Sequence, residues 1–213
     1  MYVIVSTPNE DPFRICTDPR LAHFDAPRRQ AVARLMSGLY QGEGLFLLTG
    51  EDGIGKTTLL RHLGDELAAL DGVRLLHTTP FIDCAPSADF GSIVAACGEM
   101  LRVGTPDALL VARALQDLAD GEQMPAMLID DADRLDDASL KAIATLATLR
   151  GGERRLLSAV LAGTPQLARR LAAVSGAGSP LAATQIISLM PMSRAEAERM
   201  IRHRVRQAGG LDL

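Results

Sequence analysis

The stretch Gly50-Glu51-Asp52-Gly53-Ile54-Gly55-Lys56-Thr57-Thr58 sets three glycines, a lysine and two hydroxyls within nine residues. Glycine permits the backbone turns that aim successive N–H groups at one anion. A helix opening near Thr57 adds its positive dipole end. Gly50, Gly55, Lys56 and Thr57 occupy the fixed positions of G-x-x-x-x-G-K-[ST], a pattern whose chemistry is phosphate binding. Lys56 would reach the β- and γ-phosphates of a nucleotide, and the Thr57 hydroxyl would ligate Mg²⁺. Lys56 is one of two lysines in a chain with twenty arginines. That scarcity puts chance occurrence of the pattern on the order of one in a thousand. A compact ammonium fits between two phosphates inside a ring of N–H groups, whereas a planar guanidinium demands a fork-shaped partner. ATP or ADP with Mg²⁺ is therefore the expected ligand. The whole loop, including Glu51, Asp52, Gly53, Ile54 and Thr58, is expected to hold it.

A second candidate group lies at Ala126-Met127-Leu128-Ile129-Asp130-Asp131. Four apolar residues and then an acid describe a buried strand with a carboxylate at its end, where Asp130 can hold Mg²⁺ through water. Asp131 stands where a general base would orient the attacking water. Asp133, Asp136 and Asp137 read as turn and helix-cap residues.

These groups need elements to carry them. Five apolar runs read as strands: 45–49, 73–79, 126–131, 156–162 and 185–189. Helical spacing predicts helices at about 25–41, 57–70, 90–101, 107–119, 137–150, 165–174 and 193–207. Gly42 and Gly44 stop the first, and Ser193 with Glu196 opens the last as a capping box. Residues 175–180 read as a flexible loop. Strands alternating with helices imply a parallel sheet covered on both faces. Residues 1–24, with Pro8, Pro12 and Pro19, read as an irregular lead-in, 25–192 as the core, and 193–213 as a closing helix.

Composition sets limits. The 213 residues are 47% hydrophobic, with no Trp, two Tyr and five Phe, so an aliphatic core is expected. A net charge of −4 argues against a general polyanion binder. Cys16, Cys84 and Cys97 lack metal-site spacing and read as small buried side chains. No run approaches the roughly 20 apolar residues that span a bilayer. Arg199, Arg202 and Arg206 share one helix face, which reads as a solvated face or as a patch for an acidic partner.

Pro12 to Arg20 (PF-x-I-x-x-DPR), QGEGLFLLTGEDGIGKTTLLR, LIDDADRL, LAGTPQL and MPMSRAEAERMIRHRVRQAGG together resemble the AAA+ ATPases of the general secretion pathway A type. These are related to helper ATPases of DNA transposition. The resemblance implies a P-loop NTPase sandwich with a central parallel five-stranded sheet. It implies that the segment from Phe13 to Arg20 lies near the adenine and that Thr164 is a polar sensor facing the γ-phosphate. Three departures weaken hydrolysis. Asp131 replaces the usual Glu, Gln185 stands where an arginine is expected, and the chain ends at Leu213 where a small helical lid normally begins.

The function expected from residues and resemblance is an ATPase core of slow turnover. It would couple nucleotide state to assembly of a secretion or envelope complex, through a protein partner and a nucleotide-dependent homo-oligomer. The alternatives are a nucleotide-gated module with little hydrolysis and a DNA-binding transposition helper. The expected location is cytoplasmic, at the inner membrane face only through a partner or further sequence.

Overall fold

β1 (Leu45–Thr49) is buried at every residue, because its continuous apolar run suits a strand covered on both faces. The structure is a computed structural model. It describes residues 11, 13, 21–76, 82–85, 88–97, 101–105, 107–121, 123–152, 154–175 and 185–208. The other strands in chain order are β2 (Val73–Leu75), β3 (Ile82–Asp83), β4 (Met124–Asp130), β5 (Arg150–Gly151), β6 (Arg154–Arg155), β7 (Ser158–Gly163) and β8 (Gln185–Ser188). The main sheet runs β2-β4-β7-β1-β8, with β3 continuing the outer edge beside β4. Its pairings are all parallel, with Thr49 opposite Gly163 and Ile129 opposite Leu161.

Seven α-helices lie among the described residues: α1 (Ala26–Gln41), α2 (Lys56–Ala68), α3 (Phe90–Ala96), α4 (Ala108–Asp120), α5 (Asp137–Leu146), α6 (Pro165–Ser175) and α7 (Arg194–Gln207). Successive strand residues face opposite ways, and this splits the core in two. Phe46 and Leu48 pack with Leu35 and Leu39 of α1 and Leu59, Leu60, Leu63 and Leu67 of α2. Leu45 and Leu47 pack on the other face with Ile93, Leu115, Leu140, Ile143 and Leu167, from α3 to α6. The result is the expected three-layer α/β sandwich. α7 has no fully buried residue.

Local chemistry explains the boundaries. The Asp25 side chain accepts from the Arg28 N–H and caps α1, and Gly42 ends that helix at φ 68°. The helix expected over 137–150 stops at Leu146, and residues 150–155 instead form the antiparallel hairpin β5–β6. Gly152 at φ 67° makes that turn, which the helical spacing of Leu146 and Leu149 obscured. The second strand is shorter than expected and is followed by β3. The third begins earlier, at Met124. The expected loop at 176–180 and residues 77–81 lie outside the described residues. Cys84 and Cys97 are buried free thiols, and burial raises both to about 12. Cys16 lies outside the described residues.

Candidate nucleotide site

The strand order brings the carboxyl ends of β1, β4 and β7 together, the position where open α/β sheets form their crevice. From β1 the chain enters the glycine loop, with Gly53 at φ 75° and Gly55 at φ 100°. A side chain at either would be strained, so the loop's curl depends on glycine there. Gly50 is required for space, since a Cβ would stand 2.8 Å from Ile54 Cγ2. α2 starts at Lys56 with no side chain capping its first amides. Those N–H groups and the helix dipole face the loop.

Lys56 is 7% exposed. Its Nζ donates to the carbonyls of Gly50 at 2.8 Å and Glu51 at 3.1 Å, with Asp52 Oδ1 3.6 Å away. Asp52 is solvent-exposed. The ammonium therefore closes the loop on itself. Thr57 Oγ1 donates to Asp130 Oδ2 at 2.6 Å, which joins the first turn of α2 to the end of β4. Thr58 lines the neighbouring cavity. Burial pushes the Asp130 carboxyl above its usual range, against the bonds from Thr57 and the Asp131 N–H.

Asp131 adopts the left-handed conformation, φ 47° and ψ 39°, which aspartate tolerates better than most residues. Its carboxylate lies 3.0 Å from Arg134 and is 41% exposed. Thr164 stands at the end of β7, but its hydroxyl donates to Asp133 Oδ1 at 3.0 Å and its N–H to Asp133 Oδ2 at 2.6 Å. Asp133 is thus a clamp between two strand ends, a role beyond the turn expected of it. Arg170 holds the same turn by donating to the Asp133 carbonyl at 2.7 Å and pairing with Asp137 at 2.6 Å. Asp136 does cap α5, accepting from the Ser139 N–H.

Beside the loop lies a cavity of about 320 Å³. Ala22–Phe24, Gly53–Gly55, Pro191-Met192 and two side chains of α7, Met200 and Arg204, line it. Arg204 Nε is buried there without a hydrogen-bond partner among the described residues, while His23 Nε2 lies 3.7 Å from Glu196 Oε2. Buried polar atoms ordinarily find partners, so Arg204 suits a polar ligand. Phe13 is exposed and does not line this cavity, while residues 22–24 do. Arg20 lies outside the described residues.

Sequence reasoning overlooked Arg28. It is 4% exposed, pairs with Asp25 at 2.6 Å, and donates to the carbonyls of Ile54 at 2.9 Å and Met190 at 3.5 Å. One guanidinium so ties α1 to the glycine loop and to the chain after β8. The signal was present, since Arg28 falls on the same helical stripe as Ala31, Leu35 and Leu39. Gln185 bonds with Glu43 and with Arg34.

A family profile described as an AAA domain matches residues 39–171. The chain is 30% identical over 217 residues to general secretion pathway protein A of Aeromonas hydrophila, spanning 98% of this chain and 38% of that protein. Among solved structures, Cdc6p from Pyrobaculum aerophilum aligns with a TM-score of 0.64 and 19% identity, over 99% of this chain and 56% of that one. The Aeropyrum pernix ORC2 protein in its ADPNP–ADP complexes aligns with a TM-score of 0.60 and 17% identity, over 89% and 56%. At such identities the two structures speak to the shared fold.

Proposed function

The chain belongs to the AAA domain family, and on that premise we propose that it binds Mg²⁺·ATP, hydrolyses it slowly, and couples nucleotide state to assembly of a secretion or cell-envelope complex. The observation that carries the nucleotide reading is the Thr57–Asp130 pair, 2.6 Å apart, set against the loop closed by Lys56. Two oxygen donors suit Mg²⁺, which takes its remaining ligands from phosphates and water. When bound, the ion neutralises charge between the β- and γ-phosphates. Gly50 to Thr58 supply backbone donors, Lys56 supplies a positive charge, and the cavity between residues 22–24 and α7 takes the nucleoside.

Asp131 is the proposed base. It would take the proton of the attacking water as the bond between the γ-phosphorus and the leaving ADP oxygen breaks. Two restraints support slow turnover. Asp131 is paired with Arg134, and the Thr164 hydroxyl is engaged by Asp133. Completing the site requires both to re-pair, a step that a partner or a second subunit can drive. In this reading residues 1–24 approach the nucleotide, 25–192 form the core, and 193–213 carry its motion outward. The protein partner and the place at the cytoplasmic side of a membrane rest on the secretion relative, of which the chain spans 38%. No helix among the described residues is long and apolar enough to cross a membrane.

Calorimetric nucleotide titration and phosphate release test the reading. Wild type should bind Mg²⁺·ATP, and Lys56→Ala should weaken binding roughly 100-fold by removing a buried charge contact. Binding indifferent to Lys56→Ala, or turnover of roughly tens per second by the isolated chain, would overturn it.

A further inference from the structure

We infer that a second cavity, remote from the nucleotide, docks an acidic, leucine-bearing segment of a protein partner. It encloses about 540 Å³ between the outer strand β2, the turn at 101–104 and the face of α4. Arg74 pairs in register with Pro125 at the start of β4, while Asp130 ends that strand. The separation along the strand is about 17 Å at roughly 3.3 Å per residue, so the cavity lies toward the opposite edge of the sheet.

Arg74, Arg102 and Arg113 rim the cavity from three different elements, and Asp117 is the only acid among the described residues that line it. Several arginines elsewhere on this surface find carboxylates, as in Arg34–Glu43, Arg134–Asp131, Arg170–Asp137, Arg194–Glu198 and Arg199–Glu196. Arg102 and Arg113 have no such partner among the described residues, in a chain where acids outnumber bases 26 to 22. Arg102 also holds a left-handed backbone at φ 51°, a conformation that local sequence does not favour.

Below the arginines the floor is apolar, formed by Leu101, Val103 and Leu118. Leu110 extends it along the first turn of α4, at 43% exposed. Guanidinium groups above an aliphatic floor complement carboxylates set beside leucines. Nucleic acid fits poorly, since no aromatic side chain among the described residues lines the cavity for stacking and the net charge is −4. A small anion fits poorly too, because Arg74, Arg102 and Arg113 are all exposed.

The probe is a fluorescein-labelled peptide of about 15 residues, long enough for helical turns, with Glu and Leu at helical spacing. Fluorescence anisotropy against the full chain should show saturable binding. The same peptide with Lys for Glu should not bind. Arg102→Glu with Arg113→Glu should weaken binding at least about tenfold, since like charges then face each other. That double variant should still bind ATP, and Lys56→Ala should still bind peptide, so failure here is distinguishable from failure of the nucleotide reading. No binding up to about 1 mM peptide, equal binding by the double variant, or preference for a DNA duplex or inorganic phosphate would overturn the inference.

Discussion

At the residue scale, Asp130 carries two opposed demands. Its burial disfavours the carboxylate, yet a cation at Thr57 needs that carboxylate. The sign of the pH dependence follows. A carboxyl whose folded pKa is raised becomes protonated at a higher pH than an ordinary aspartate, whose value is about 3.9. Mg²⁺-dependent nucleotide affinity should therefore begin to fall, on acidification, above the ordinary carboxylate range. The same shift means that ionised Asp130 opposes folding once the pH rises through its folded pKa. Asp130→Asn should raise the melting temperature of the nucleotide-free protein at neutral pH while abolishing the Mg²⁺ effect. Its amide oxygen can still accept from the Thr57 hydroxyl, so the packing survives. A lowered melting temperature in that variant would show that burial of the charge is offset by some other contact.

At the scale of elements, α1 is fixed to the glycine loop by Arg28, which reaches the Ile54 carbonyl and is itself held by a buried ion pair with Asp25. Removing one partner of such a pair leaves an uncompensated charge, which costs about 3–5 kcal/mol. Asp25→Ala should show that loss in urea unfolding. It should also weaken ATP binding, because Arg28 would no longer hold the Ile54 carbonyl. Asp25→Ala combined with Arg28→Met should recover most of the stability but not the affinity. α1 also meets β1 at Gly38, where a Cβ would overlap the Phe46 ring. Gly38→Ala should destabilise by about 1–3 kcal/mol through overpacking, read from the same unfolding curves.

At the scale of the whole molecule, α7 is the described helix least committed to the core. It buries no residue fully, yet Met200 and Arg204 reach the cavity beside the glycine loop and His23 packs 5.7 Å from His203. An element with little buried surface is drawn from the low-stability end of a fold and moves readily. A ligand that engages Arg204 biases it. Size-exclusion chromatography with light scattering should then give a larger species with a non-hydrolysable ATP analogue than with ADP. Identical monomers in both states would remove the case for a nucleotide-driven assembly.

The sequence by itself determined the glycine loop, the buried strand ending in Asp130 and the alternation of strands and helices. These are local properties, because φ freedom at glycine, an unbroken apolar run and helical spacing operate within a few residues. The glycine loop was legible for that reason. The tertiary structure alone decided the strand order β2-β4-β7-β1-β8, which sets the ends of β4 and β7 beside the glycine loop that follows β1. It decided that Asp133 engages Thr164 across thirty-one positions of chain, and that Arg28 reaches Ile54 while its neighbour Arg29 stays on the surface. It decided that the cavity beside the glycine loop is walled by residues 22–24 and α7. None of these contacts has a sequence period to announce it. They exist because buried polar groups must find partners wherever the packed elements bring them, and that requirement acts only once the layers have closed.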